Sequence, residues 1–293
     1  MKPTRALTWA AIAGLTLIWG TTWAAIRISL QGIPPITGVA LRFGLAAAAL
    51  LALVPAFGVK LGRSPIERRL WLTNALLTFS IPYGVLYWAE QWVPSGLASV
   101  IFATFPLLTA LIAHFTLPAE RLTPGSISGV LLGFAGLAVI FSEDFRALGG
   151  PRVGIAAAVL LLSPLCAAVG SVAVKRWSQG IHPISTAAMP MAITALLMGA
   201  LSRIMESSRE VTFGTAPLLA LLYLAIIGSA LPFSVYFWLL KHQTATALSL
   251  INYAIPLIAI AVGTLFLDEP VTARIIAGTA LVLAGVAVAV RKG

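Results

Sequence analysis

Phe79, Tyr83 and Tyr87 stand four residues apart, the spacing that stacks side chains along one face of a helix. Phe233 and Phe237 repeat the last two of them 150 residues later, and Trp19 and Trp23 place two indoles one turn apart. Aromatic faces of this kind stack apolar or aromatic groups and attract cations through their π electrons. Ser99 and Ser249 correspond under the same shift, and Asn252 and Tyr253 come one turn before Pro256. Buried hydroxyls and amides cost free energy unless bonded. They therefore either face a wet cavity and bond a small molecule's amino or carboxylate group, or tie helices together. Arg42 is the one charged residue well inside an apolar run. Its side chain can reach back to the membrane interface, or it can act as a counter-charge for an anionic group passing by.

Catalysis would need other groups. The chain has no HExxH, no GxSxG, no paired aspartates and no Walker sequence. A nucleophile with its base, a metal centre and ATP drive are therefore not expected, nor is any cofactor or bound metal. Cys166 is the only cysteine, and the expectation for it is inert packing in a helix. No acid falls at mid-membrane. Glu90 closes the third apolar run near its outer end, and His114, His182 and His242 fall at the inner side. Facilitated diffusion or exchange is then as expected as proton antiport.

The elements that must position these residues are set by composition. Of 293 residues, 59% are hydrophobic and 10% charged, with mean hydropathy +0.99. A soluble domain carries roughly 25% charged residues, so the surface must face lipid. A crossing helix needs about 20 apolar residues. Ten runs qualify, at 8–28, 36–56, 70–92, 95–117, 124–142, 153–175, 183–202, 216–240, 245–267 and 272–290. The first is long enough to stay as a span rather than be cleaved as a signal. Backbone groups in lipid must bond within their own segment, so the runs are helices. Pro82, Pro106, Pro232 and Pro256 fall near the middle of runs three, four, eight and nine. Each removes an intrahelical bond and kinks or loosens its helix, so these four are candidate hinges. Trp71 and Trp92 suit interfacial belts, and Gly129 with Gly133 suits close packing inside the chain.

The chain repeats itself. Pro82-Tyr83-Gly84-Val85 returns as Pro232-Phe233-Ser234-Val235, and Gln31-Gly32-Ile33-Pro34-Pro35 as Gln179-Gly180-Ile181-His182-Pro183, a shift of 148. Two units follow, 1–147 and 148–293, each with five helices. An odd number makes consecutive units face opposite ways across the bilayer. The expected fold is thus an all-α membrane protein of ten transmembrane helices, two inverted five-helix repeats around a central cavity. With the N-terminus inside, inner loops hold twelve Lys and Arg residues and outer loops six, which places both termini in the cytoplasm. The +10 net charge is read as this topology signal and as contact with anionic lipid, not as nucleic-acid binding. A monomer is the expected unit.

Trp19-Gly20-Thr21-Thr22-Trp23, Arg42-Phe43, the proline-centred runs four and nine, and an acid nine residues before a glycine in each half (Glu120 and Gly129, Glu269 and Gly278) together resemble the drug/metabolite transporter superfamily. The pattern is most similar to its EamA-type bacterial exporters. The resemblance spans nearly the whole chain. It implies a cavity lined by helices one, three, four, six, eight and nine, with five and ten peripheral. It also implies export of amino acids, aromatic ones included, from an inner membrane. Cationic drugs or toxicants are the alternative substrates, and a channel or an intramembrane enzyme the alternative classes.

Overall fold

A computed structural model describes residues 4–291 apart from 63, 118–119, 144–147, 149, 151, 244–247, 249–250 and 252–253. The described residues form helices and connecting turns with no strand. Seven helices are long and apolar enough to cross a membrane, and Ile255–Leu267 and Ala273–Gly285 are shorter apolar ones.

The helices are α1 (Arg5–Ser29), α2 (Pro35–Leu53), α3 (Pro65–Asn74), α4 (Ile81–Ala89), α5 (Ser95–Phe102), α6 (Phe105–Thr116), α7 (Pro124–Phe141), α8 (Arg152–Leu160), α9 (Leu162–Trp177), α10 (Pro183–Met205), α11 (Thr215–Ala225), α12 (Leu231–Leu240), α13 (Ile255–Leu267) and α14 (Ala273–Arg291). Local chemistry marks their starts. Pro35, Pro65, Pro124 and Pro183 each open a helix, where a missing N–H costs nothing. Ser64 and Thr123 accept from the backbone N–H three residues on, as N-caps do.

Several sequence-derived runs are broken rather than continuous. The π-helical segment Ala75–Ser80 joins α3 to α4, and Ile226–Ala230 joins α11 to α12. Turns at Ala103–Thr104 and Leu161 separate α5 from α6 and α8 from α9. Proline explains the pattern. Pro82, Pro106, Pro232 and Pro256 are each the second residue of the helix that follows a π segment, a break or a turn. Without an N–H they cannot close the bond to the carbonyl four residues back, so the ladder widens or stops there. Pro190, by contrast, lies inside α10 without interrupting it.

Packing pairs the elements. α2 lies along α10, α7 along α14, and α5 against α13; α1 packs on α11 and α13, while α9 packs on α3, α4 and α6. The α7–α14 pair makes few contacts elsewhere. It closes through glycine: a Cβ on Gly285 would meet the Gly133 nitrogen and lie 2.6 Å from the Gly129 carbonyl oxygen. The Gly129/Gly133 stripe therefore serves contact within the chain.

Two ends of the bundle are distinguishable along α10, which at about 1.5 Å per residue is roughly 35 Å long. Beyond its C-terminus, Thr212 N–H donates to the Gly32 carbonyl at 2.8 Å, beside Gln31. Before its N-terminus stand Gln179–His182, which line a groove with Phe57–Lys60. The Gln31 motif and its Gln179 counterpart thus sit at opposite ends of this helix.

Candidate functional site: a central aromatic cavity

The pieces of broken helix surround a cavity of about 780 Å³, counting its open mouth. α1 contributes Trp19, Thr22, Trp23 and Ile26; the third run contributes Thr78, Pro82, Tyr83 and Leu86; Phe102 and Phe105 flank the turn between α5 and α6. α9 contributes Ser163, Ala167 and Ser171, α12 contributes Phe233, Tyr236 and Phe237, and α13 contributes Ile255. The wall therefore comes from apolar runs one, three, four, six, eight and nine. It is aromatic first: Trp19 lies 5.4 Å from Phe233 and 5.6 Å from Tyr236, and Trp23 lies 5.7 Å edge-on from Phe102, centroid to centroid. Such tilted pairs present both ring faces and ring edges to a guest.

Polar groups on the wall are few and placed. The Ser171 and Tyr236 hydroxyls share a hydrogen bond of 2.9 Å. Ser163 donates to the Pro82 carbonyl at 3.0 Å. Trp19 Nε1 and Thr78 Oγ1 are buried and have no partner. Both can donate, and both belong to residues of the wall. No described wall residue is charged.

The structure separates the residues singled out from sequence. Trp19, Trp23, Tyr83, Phe233, Phe237 and Pro82 border the cavity. Phe79 and Tyr87 do not: both are fully buried behind the wall, Phe79 edge-on to Phe43 at 5.0 Å and Tyr87 against Gly38. Ser99 points away too, donating to the Gly96 carbonyl at 2.6 Å. Pro106, Pro232 and Pro256 do not border it, and Pro232 lines a separate groove with Leu15 and Trp238. Ser249, Asn252 and Tyr253 lie outside the described residues.

Arg42 neither reaches the interface nor touches the cavity. It is 1% exposed. Its Nε donates to Ser229 Oγ at 2.7 Å, Nη2 to the Gly228 carbonyl at 3.2 Å and Nη1 to the Tyr87 hydroxyl at 3.4 Å. Its guanidinium lies 4.7 Å from the Tyr83 ring centre, on a ring that itself borders the cavity. The reason is local: Gly228 is the residue four before Pro232, so its carbonyl is the one that proline leaves free. An arginine from α2 fills it.

Sequence reasoning passed over Thr78, Phe102, Phe105, Ser171 and Tyr236. For Tyr236 a signal existed, one turn after Phe233 in the repeated motif. For Ser171 only its depth in an apolar run distinguished it.

Both ends are tied across the chain. At the Gln31 end, Glu206 accepts from Ile36 N–H (3.0 Å), Thr37 N–H (2.8 Å) and Thr37 hydroxyl (2.8 Å). Glu269 accepts from Ser95 N–H (2.8 Å), Ser95 hydroxyl (2.8 Å) and Gly96 N–H (3.0 Å). Each carboxylate thus sits on a helix N-terminus, where the dipole favours it. Asp268, at φ 53°, turns the chain so that Glu269 reaches there, and Gly263 leaves room, since a Cβ there would meet the Glu269 carboxylate. At the Gln179 end, Ser185 donates to Glu67 Oε1 at 2.5 Å and accepts from Trp71 Nε1 at 3.0 Å. Trp71 is thus buried between helices rather than set in an interfacial belt. His182 Nδ1 accepts from Ile184 N–H at 3.2 Å; burial and the charge of Lys241 push this imidazole below its ordinary range.

The model of the EamA-like transporter family matches residues 5–142 and 154–291. Similar curated proteins include the uncharacterized transporter YoaV of Bacillus subtilis, 26% identical over 275 residues and covering 94% of both chains. Protein PagO of Salmonella typhimurium is 29% identical over 247 residues, 84% of this chain and 80% of its own. The uncharacterized inner membrane transporter YedA of Escherichia coli is 30% identical over 260 residues, 87% and 81% of the two chains. A solved crystal structure superposes with a TM-score of 0.73 over 96% of each chain at 24% identity, a likeness of fold.

Proposed function

The chain belongs to the EamA-like transporter family, and from that premise we propose that this multi-pass membrane protein exports small organic metabolites, amino acids with aromatic side chains foremost, by alternating access. The observation that carries the substrate class is the cavity wall. Trp19, Trp23, Tyr83, Phe233 and Phe237 offer stacking surface, while Trp19 Nε1 and Thr78 Oγ1 offer unfilled donors. A carboxylate accepts from such donors, and an aromatic side chain fills the rest.

The proposed machine is ten spans arranged as two inverted halves, with the Gln179 end and both termini in the cytoplasm, working as a monomer in an inner membrane. Symmetric contacts support the inversion. Arg27 donates to the carbonyls of Glu90 and Val93 (the latter at 3.3 Å). Lys175, 148 positions later, donates to those of Leu240 (2.9 Å) and Gln243, which are Glu90 and Val93 shifted by 150. Pairs α2–α10 and α7–α14 are then each a helix with its own counterpart. Rocking one half against the other opens one end while the opposite end closes.

Counterflow of radiolabelled tryptophan and phenylalanine in liposomes tests this. Saturable exchange is expected, weakened at least about tenfold by Trp19→Ala or Tyr83→Ala, which is about 1.4 kcal/mol of lost binding. Saturable exchange of a quaternary ammonium compound but of no amino acid would reverse the substrate assignment. Flux that never saturates would make the protein a channel.

A further inference from the structure

We propose that Glu90 binds a proton in the conformation seen here, and that opening of the Gln31 end releases it. The inference deepens the carrier reading above by naming the coupling ion.

Glu90 follows α4 at the Gln31 end and is fully buried. Neither carboxylate oxygen has a hydrogen-bond partner. Its charged neighbours are Arg27 of α1, Arg42 of α2 and Glu269 beyond α13, and the ionisable Tyr87 lies on its own helix. None of the four bonds the Glu90 carboxylate; each is hydrogen-bonded elsewhere, and the charges of Arg27 and Arg42 oppose the burial without outweighing it. Arg27 gives Nη1 to main-chain carbonyls, Arg42 bonds Ser229, Gly228 and Tyr87, and Glu269 accepts at the α5 N-terminus. The one ion pair within 4 Å among the described residues is Arg274 with Glu143, at 3.4 Å. A buried carboxylate anion without a partner costs several kcal/mol, far more than the neutral acid. The conformation seen here therefore holds the acid form, and in the proposed cycle it is the closed state of this end.

The repeat shows that the architecture does not require an acid here. Lys175 makes the same main-chain cap as Arg27, yet the residue matching Glu90 is Leu240, also buried. The carboxyl is thus an addition to one half, at an end held by breakable polar contacts: Arg209 to Gln91 at 3.2 Å, Thr212 to Gly32, and Glu206 to the start of α2. When those contacts part, water reaches Glu90, the O–H bond breaks, the proton passes to water and the carboxylate stays solvated. Closure reverses the step, so each closure of this end takes up one proton, and high pH favours opening.

The experiment uses full-length protein in liposomes, with Cys166→Ala and spin labels on Gln31→Cys and Glu210→Cys, both exposed at this end. The distance between labels is followed through a titration. In otherwise native protein the open-to-closed ratio is expected to rise about tenfold per pH unit, the slope of one proton. Glu90→Gln and Glu90→Leu, the second copying the counterpart half, are expected to stay closed with no titration. Persistence of the titration in either variant overturns the proposal, as does a flat response in the parent. So does closure driven by sodium in place of choline at fixed pH, which would make this a cation site. Titration without counterflow would remove the transport reading and leave the proton site standing; counterflow without titration would do the converse.

Discussion

Arg42 shows how far a residue type alone can be read. Its position in an apolar run marked it as costly and therefore purposeful, but its two readings differed only in where the side chain points. The structure turns it inward, onto the carbonyl that Pro232 frees and onto Ser229 and Tyr87. Arg42→Met is accordingly expected to cost about 3 kcal/mol, since it removes charged donors from three buried acceptors. Arg42→Lys should recover only part of that, because an ammonium lacks the planar fork that spans them. Thermal unfolding in detergent measures both. Substrate affinity of the surviving folded protein should change little, as Arg42 does not border the cavity; a lost affinity at unchanged stability would restore the counter-charge role. Tyr83 and Tyr87 make the same point. Their spacing put both on one stripe, and one of them borders the cavity while the other supports Arg42 from behind. Glu90 looked like the end of a span, and only its neighbours reveal that it is closed off from water.

At the scale of elements, prolines and glycines were the most legible features. The four mid-run prolines foretold discontinuities, because a missing N–H breaks the ladder wherever tertiary packing does not repair it. They did not foretell the form: π segments precede Pro82 and Pro232, whereas turns precede Pro106 and Pro256. Nor did they explain why Pro190 leaves α10 intact. Gly129 and Gly133 announced close contact, and α14 is the partner. Gly285→Leu should force α7 and α14 apart, because the new side chain meets backbone that cannot yield. Overpacking of this kind costs roughly 1–3 kcal/mol. The expected result is a lower melting temperature with unchanged KM for counterflow, since neither helix reaches the cavity wall. A changed KM would mean that this pair takes part in the moving core.

For the whole molecule, the decisive prediction is sidedness. Membrane-impermeant thiol reagents applied to intact cells should label Gln31→Cys from outside, and Gln179→Cys only after permeabilisation, in a Cys166→Ala background. Labelling of both from one side would end the inverted arrangement and the transport cycle built on it. Composition alone determined that the chain lives in lipid, because a surface with so few charges cannot face water, and the repeated motifs implied two related units. Those are properties of what each residue is and how far apart it stands. Which aromatic faces the cavity, which carbonyl Arg42 fills and which acid is left without a partner depend on pairs of side chains brought together from distant parts of the chain. Spacing along one helix fixes a face of that helix, whereas the neighbour that meets the face is chosen only when the helices pack.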